Sequence, residues 1–219
     1  MRHLPVVWRR WVVPLIVLAW LSAPALSSVI PVDDFTRDLA GWNPKVFVGQ
    51  THYRNVEYRG RAALQADSMG SASGLVRPID IDLRKTPYLN WSWAVQERLQ
   101  DVDELRKTGD DYPARVYVIY SVGPFFWQTR AINYVWSSSQ PPGSVWPNAF
   151  TANSTMVAVR GPGDTLTEWR SEKRNVLEDI RQLTGDSISN IEAVAIMTDT
   201  DNSGQQARAW YGGLFFSAE

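Results

Sequence analysis

In Leu89-Asn90-Trp91-Ser92-Trp93-Ala94-Val95-Gln96, large apolar side chains fall on every second residue. Leu89, Trp91, Trp93 and Val95 share one face; Asn90, Ser92, Ala94 and Gln96 share the other. A period of two marks a half-buried strand, and it sends Trp91 and Trp93 into a core. Ala114-Arg115-Val116-Tyr117-Val118-Ile119-Tyr120-Ser121 is apolar on both faces, as expected of a central strand in a sandwich. Outward from these two, short strands set off by turn residues are predicted at 46–48, 53–58, 61–66, 74–82, 131–136, 155–159, 166–171, 191–197 and 208–216. Pro78 suggests a sheet edge or a bulge. Residues 97–112 read as an irregular loop with a helical turn, and 137–152 as a loop rich in Pro, Gly and Ser. One helix is predicted over 175–183, from Val176, Leu177, Ile180 and Leu183 at helical spacing with Gly185 as its stop. One short helix among so many strands predicts an all-β fold, a two-sheet β-sandwich of jelly-roll type.

The first 27 residues read differently. Arg2, Arg9 and Arg10 precede an apolar run from Trp11 to Leu21, and Ala23-Pro24-Ala25 supplies an A-x-A cleavage site. That is the layout of a Gram-negative-type secretory signal peptide. Its apolar run is well short of the roughly 20 residues needed to cross a bilayer. The expected organisation is a leader at 1–27, then one β-sandwich domain at 28–219, exported to the periplasm or beyond, with no membrane span after cleavage. Beyond the leader the chain has 19 basic against 23 acidic groups, a net charge of −4. With no basic stripe, duplex DNA and anionic membrane are not the expected partners. There is no cysteine, which excludes thiolate zinc sites and cysteine nucleophiles. His52 is the one histidine left after the leader, so hydrolytic chemistry would lean on carboxylates. No P-loop, dinucleotide fingerprint or H-E-x-x-H occurs.

Several short strings, in this order, resemble the bacterial DUF3047 family. They include Ser71-Ala72-Ser73-Gly74-Leu75, Leu89-Asn90-Trp91-Ser92-Trp93, the run Gly109-Asp110-Asp111-Tyr112-Pro113-Ala114-Arg115-Val116-Tyr117-Val118, Ile132-Asn133-Tyr134-Val135-Trp136-Ser137, Arg174-Asn175-Val176 and Ala195-Ile196-Met197-Thr198-Asp199-Thr200-Asp201-Asn202. The family is similar in outline to carbohydrate-binding jelly rolls, with an acidic-aromatic start like Asp33-Asp34-Phe35 and a last strand like Trp210-Tyr211-Gly212-Gly213-Leu214-Phe215-Phe216. Where such modules often end with acidic residues this chain has Gly212-Gly213, a departure that counts against carrying over their structural calcium site. The resemblance implies a fold and leaves the activity open.

The candidate site residues come from four places. Asp110 and Asp111 precede the strand that carries Arg115, and carboxylates beside an arginine suit a polyol, a shared proton or a loop-pinning salt bridge. Asn133 and Trp136 lie on a strand beside the long loop, with Asn133 and Val135 on one face and Tyr134 and Trp136 on the other. An aromatic platform with a few placed polar groups is what a sugar ring requires, and Trp127 and Trp146 are candidates to widen it. Arg174 is a possible ligand contact on the strength of its family string. Asp199, Asp201 and Ser203 stand at positions 1, 3 and 5 of an EF-hand-like half loop with Gly204 at 6, so calcium is the one metal to consider; Trp210 occupies the place of its closing glutamate, and a plain polar turn is the alternative. No other cofactor is expected. The leading expectation is a non-catalytic module binding a glycan or other polyol. The alternatives are a carboxylate-based glycan hydrolase or lyase, and a structural envelope protein that binds another protein.

Overall fold

A computed structural model describes residues 28–219. The predicted leader and its cleavage site lie outside the described residues. Among the described residues, fourteen strands form two seven-stranded sheets. The first runs β1 (Val29–Asp33), β14 (Leu214–Ser217), β6 (Tyr88–Val95), β13 (Gln206–Tyr211), β4 (Arg61–Met69) and β3 (His52–Tyr58), with β11 (Arg170–Asn175) on the other flank of β6. The second runs β2 (Asn43–Val48), β5 (Ala72–Asp82), β12 (Asn190–Asp199), β7 (Tyr112–Ser121), β8 (Thr129–Trp136), β10 (Ser154–Arg160) and β9 (Val145–Pro147). Strands β8 and β10 pair in parallel and the other pairs are antiparallel. The all-β sandwich read from the alternation is the fold observed.

The core lies between the sheets, and strand alternation decides what enters it. From the first sheet β6 sends in Leu89, Trp91, Trp93 and Val95; from the second, β7 sends in Val116, Val118 and Tyr120, and β8 sends in Ile132, Tyr134 and Trp136. Their rings interlock: Trp93 meets Trp136 edge-on at 5.8 Å, and Trp91 stacks on Tyr134 at 5.4 Å. Such pairs add about 0.5–1.5 kcal/mol each beyond their area burial. The opposite residues of the second sheet, Arg115, Tyr117, Ile119, Ala131 and Asn133, therefore face outward.

Four local features refine the sequence expectation. Pro78 sits at a register shift of β5 against β12, as its missing N–H demands. Residues 166–169 are not strand; β11 begins at Arg170 and runs straight into α1 (Val176–Thr184). The Asn175 side chain accepts from Glu178 N at 3.1 Å and Gly185 closes the helix with φ 75°. The expected last strand is split in two at Gly212-Gly213. A Cβ at Gly212 would lie 2.2 Å from Ser92 Oγ, and the Gly212 N–H donates to Ser92 O at 2.8 Å. Glycine lets the chain press against β6 there, so β13 joins β4 to β6 while β14 joins β6 to β1. Among the described residues no helix is long and apolar enough to cross a membrane.

Candidate functional site

The outward face of the second sheet is hollowed into a trough of about 600 Å³. Tyr117 and Ile119 of β7, Ala131 of β8 and Met197 of β12 form its floor. Phe47 of β2 stands on one rim and Phe150, in the loop after β9, on another; they are 63% and 55% exposed, unusual for rings of that size. Two polar atoms in the floor have no protein partner among the described residues: Asn133 Oδ1 and Ser154 Oγ, on residues that are only 1% and 9% exposed. The Asn133 amide nitrogen reaches only the sulfur of Met156, at 3.3 Å. A buried polar atom without a partner costs about 1–3 kcal/mol, so these two are poised to gain from a ligand that offers hydroxyls. Tyr117 stays neutral, because burial, opposed by Arg115 and reinforced by Asp199 and Asp110, pushes its hydroxyl up to about 12.

One end of the trough is acidic and tightly bonded. Arg115, 4% exposed, donates from Nε to Asp199 Oδ1 at 2.7 Å and from a terminal nitrogen to Asp199 Oδ2. It also reaches Asp110 O at 2.6 Å and the Tyr117 hydroxyl at 3.2 Å, and its Cζ lies 4.1 Å from the Tyr112 ring centroid. Burial alone would lower the guanidinium's pKa, but Asp199, Tyr117 and Asp110 hold it well above its ordinary value. The Asp110 carboxylate accepts both bonds from Asn148 Nδ2, at 3.1 and 2.9 Å, which ties the Phe150 loop to this end. Asp111, fully buried, accepts from Asn202 N, Asn202 Nδ2 and Ser203 N. Asp201 lines the trough with its acidity weakened, by burial first and then by Asp111.

Of the residues singled out in the sequence, Asp110, Arg115, Asn133, Asp199 and Asp201 meet in the trough; Asp111, just before β7, and Ser203, in the turn whose N–H groups it accepts, lie behind its acidic end. Trp136 does not join them. It lies fully buried between the sheets, because β8 turns its aromatic face inward and its Asn133 face outward, so its ring offers no stacking surface. Arg174 is also elsewhere: it bonds Asp179 of α1 at 2.9 and 2.5 Å and lies over Tyr134, as part of the strand–helix junction. Trp146 is buried against Tyr112, whereas Trp127 is exposed on the β7–β8 turn. His52 is exposed on the other sheet.

The expected calcium loop does not fit the ion. Asp111, Asp199 and Asp201 do bring carboxylate oxygens within 4.8 Å of one another. Calcium needs six to eight oxygen ligands, yet both Asp199 oxygens are given to Arg115 and both Asp111 oxygens to N–H donors. Ser203 contributes its amide N–H to Asp111, and its hydroxyl accepts from Gln205 N. The segment is a polar turn in which Gly204 takes the left-handed φ of 68°.

Phe47, Phe150, Tyr117 and Ser154 were not among the residues singled out. Tyr117 was accessible through the alternation that places it beside Arg115; Phe150, in an irregular loop, has no periodic signal.

The family described as "Protein of unknown function (DUF3047)" matches residues 40–215. No curated protein matches the chain. Among solved structures, the chain is similar to the family 30 carbohydrate-binding module of the cellulosomal cellulase Cel9D-Cel44B of Clostridium thermocellum. The TM-score is 0.50 at 10% identity, over 88% of this chain and 98% of that one. It is also similar to the xyloglucanase domain of NopAA, an effector from Sinorhizobium fredii, in complex with cellobiose, with a TM-score of 0.47 at 13% identity over 90% and 100% of the two chains. A third is the family 11 carbohydrate-binding module from Clostridium thermocellum, with a TM-score of 0.45 at 10% identity over 88% and 96%. At these identities the likeness is one of fold.

Proposed function

The chain belongs to the DUF3047 family, and from that premise we propose that its trough binds a neutral glycan or similar polyol without turning it over. The observation that carries this reading is the pairing of an apolar floor and exposed Phe rims with the two unpartnered buried atoms, Asn133 Oδ1 and Ser154 Oγ. A sugar ring offers both complements: C–H faces for the rings of Phe47 and Phe150, and hydroxyls for Asn133, Ser154 and Asp201. The charges of the floor favour a neutral ligand: both arginines that line the trough are committed, Arg115 to Asp199 and Arg130 to Asp186 at 2.6 Å, and the nearby lysines stand at the rims, Lys45 over Phe47 and Lys107 over Phe150. The likeness of fold to a carbohydrate-binding module agrees with this assignment. The leader-like segment at 1–27 would carry the protein out of the cytoplasm to such polymers.

The non-catalytic form is favoured over a carboxylate hydrolase by how the aspartates are used. A glycosidase needs an acid and a base free to exchange protons across the scissile bond; Asp199 is held by a guanidinium, Asp111 by N–H donors of Asn202 and Ser203 and Asp110 by Asn148, so Asp201, whose acidity burial weakens, has no second free carboxylate among these four to work with. The test is affinity electrophoresis of the purified protein through gels containing mixed-linkage β-glucan, xyloglucan or hydroxyethylcellulose. Retardation by at least one is expected, with Asn133→Ala weakening it about fivefold, the value of one net hydrogen bond. Unchanged migration in every gel refutes the assignment.

A further inference from the structure

The turn joining β7 and β8 carries three successive exposed aromatics, Phe125, Phe126 and Trp127, at 54%, 84% and 58% exposure. They are held in place. Phe125 and Trp127 stack at 4.6 Å with their planes 5° apart, and Phe126 meets Trp127 edge-on at 5.1 Å. The turn is braced by Val122 N to Gln128 O, Gln128 N to Phe125 O and Phe125 N to Gln128 Oε1, at 3.1, 2.9 and 3.1 Å. The Gln128 side chain fills the space a Cβ on Gly123 would need, at 2.3 Å. The strands that carry this tip are the ones that floor the trough, and Asn153, a trough residue, donates from Nδ2 to Trp127 O at 3.2 Å. From Arg115 to Ile119 the floor extends about 14 Å along β7, at about 3.4 Å per residue, and the aromatic tip lies beyond that end.

We infer that Phe125, Phe126 and Trp127 form an outer stacking subsite in line with the trough, and that the ligand is therefore a polymer, several sugar rings long, rather than a mono- or disaccharide. The inference rests on the trough reading and adds the ligand's length and the far end of its path. Bracing makes the tip a preformed platform, so stacking costs little ordering entropy. A bilayer surface is the competing occupant for exposed Phe and Trp. It is disfavoured because Arg130 is the one basic residue in 121–130 and is paired with Asp186, so the tip has no free cation for anionic headgroups.

The experiment compares the parent with Trp127→Ala and Phe126→Ala, using mixed-linkage β-glucan and its tetrasaccharide as probes. Thermal melts check that these surface changes leave the fold intact. The expected result is a polymer affinity lowered about three- to tenfold in each variant, with tetrasaccharide affinity unchanged and Trp127 fluorescence shielded from acrylamide only by the polymer. Polymer affinity unchanged in both variants overturns the subsite and leaves the trough reading standing. If the parent binds neither probe, nor any of the other polysaccharides, both readings fall. Sedimentation with phosphatidylcholine vesicles that is lost in Trp127→Ala also overturns the subsite, in favour of a membrane surface.

Discussion

Arg115→Met tests how the acidic end of the trough is held together. The guanidinium and Asp199 are 4% and 2% exposed and share two hydrogen bonds, with Asp110 and Asp111 close behind. Removing the cation leaves Asp199 buried, charged and next to other carboxylates. Breaking a buried pair in this way costs about 3–5 kcal/mol, which for a domain of this size is a fall in Tm of about 6–20 °C. The penalty depends on pH with a definite sign. Burial already holds the Asp199 carboxyl well above its unfolded value of about 3.9 while Arg115 pulls it back down, so without its partner the folded-state pKa rises further. The folded variant then binds more protons than the unfolded chain, so its stability falls as pH rises. Urea unfolding at pH 7 and pH 5 should therefore show a smaller deficit at pH 5. Replacing both residues, Arg115→Met with Asp199→Leu, should recover most of the loss, because an apolar pair has no charge to desolvate. A single variant within 1 kcal/mol of the parent at pH 7, or a double variant no better than the single, would refute the reasoning.

Trp136→Ala should cost about 3–5 kcal/mol, as expected for a large ring removed from the core, and a loss under 1 kcal/mol in urea would show that the ring is not packed as described. Tyr134 donates to Asp179 Oδ2 at 2.7 Å in a buried site; Tyr134→Phe should lose about 1.5–3 kcal/mol, the value of a bond to a charged group, and an unchanged unfolding midpoint would contradict it. Arg174→Ala should lower Tm while leaving polysaccharide retardation at the parent value, because Arg174 serves Asp179 rather than the trough; reduced retardation would return it to the site. Millimolar calcium or a chelator should move Tm by less than about 1 °C, whereas a bound ion at 100 times its Kd would add about 2.7 kcal/mol and a correspondingly large shift.

The sandwich was legible because alternation is a backbone property: Leu89, Trp91, Trp93 and Val95 could share a face only in a strand. The helix was legible down to its stop at Gly185, whereas Asn175, read as its first residue, is its cap. What alternation does not decide is which face of a strand turns inward when both carry apolar residues. On β8 the aromatic face looked like a sugar platform, yet two rings bury more apolar area than Asn133 and Val135 together, so Tyr134 and Trp136 went to the core. That same preference pushed Asn133 into the trough floor. Arg115, Asp110 and Asp199 were found together because they flank strand ends that neighbour one another, but the N–H donors that occupy Asp111 come from a turn 91 residues away. Phe47 and Phe150 acquire meaning only once β2 and the β9–β10 loop stand as rims, a consequence of sheet order that no local pattern encodes.

The most direct test of the central claim is to map ligand contacts by amide chemical shifts, titrating isotope-labelled protein with a β-glucan oligosaccharide. The account predicts shifts confined to the outward face of the second sheet: Tyr117 and Ile119, Ala131 and Asn133, Asn153 and Ser154, with Phe47 and Phe150 at the rims. Shifts centred on the first sheet, around His52 and Arg208, or no shifts at any ligand concentration, would contradict it.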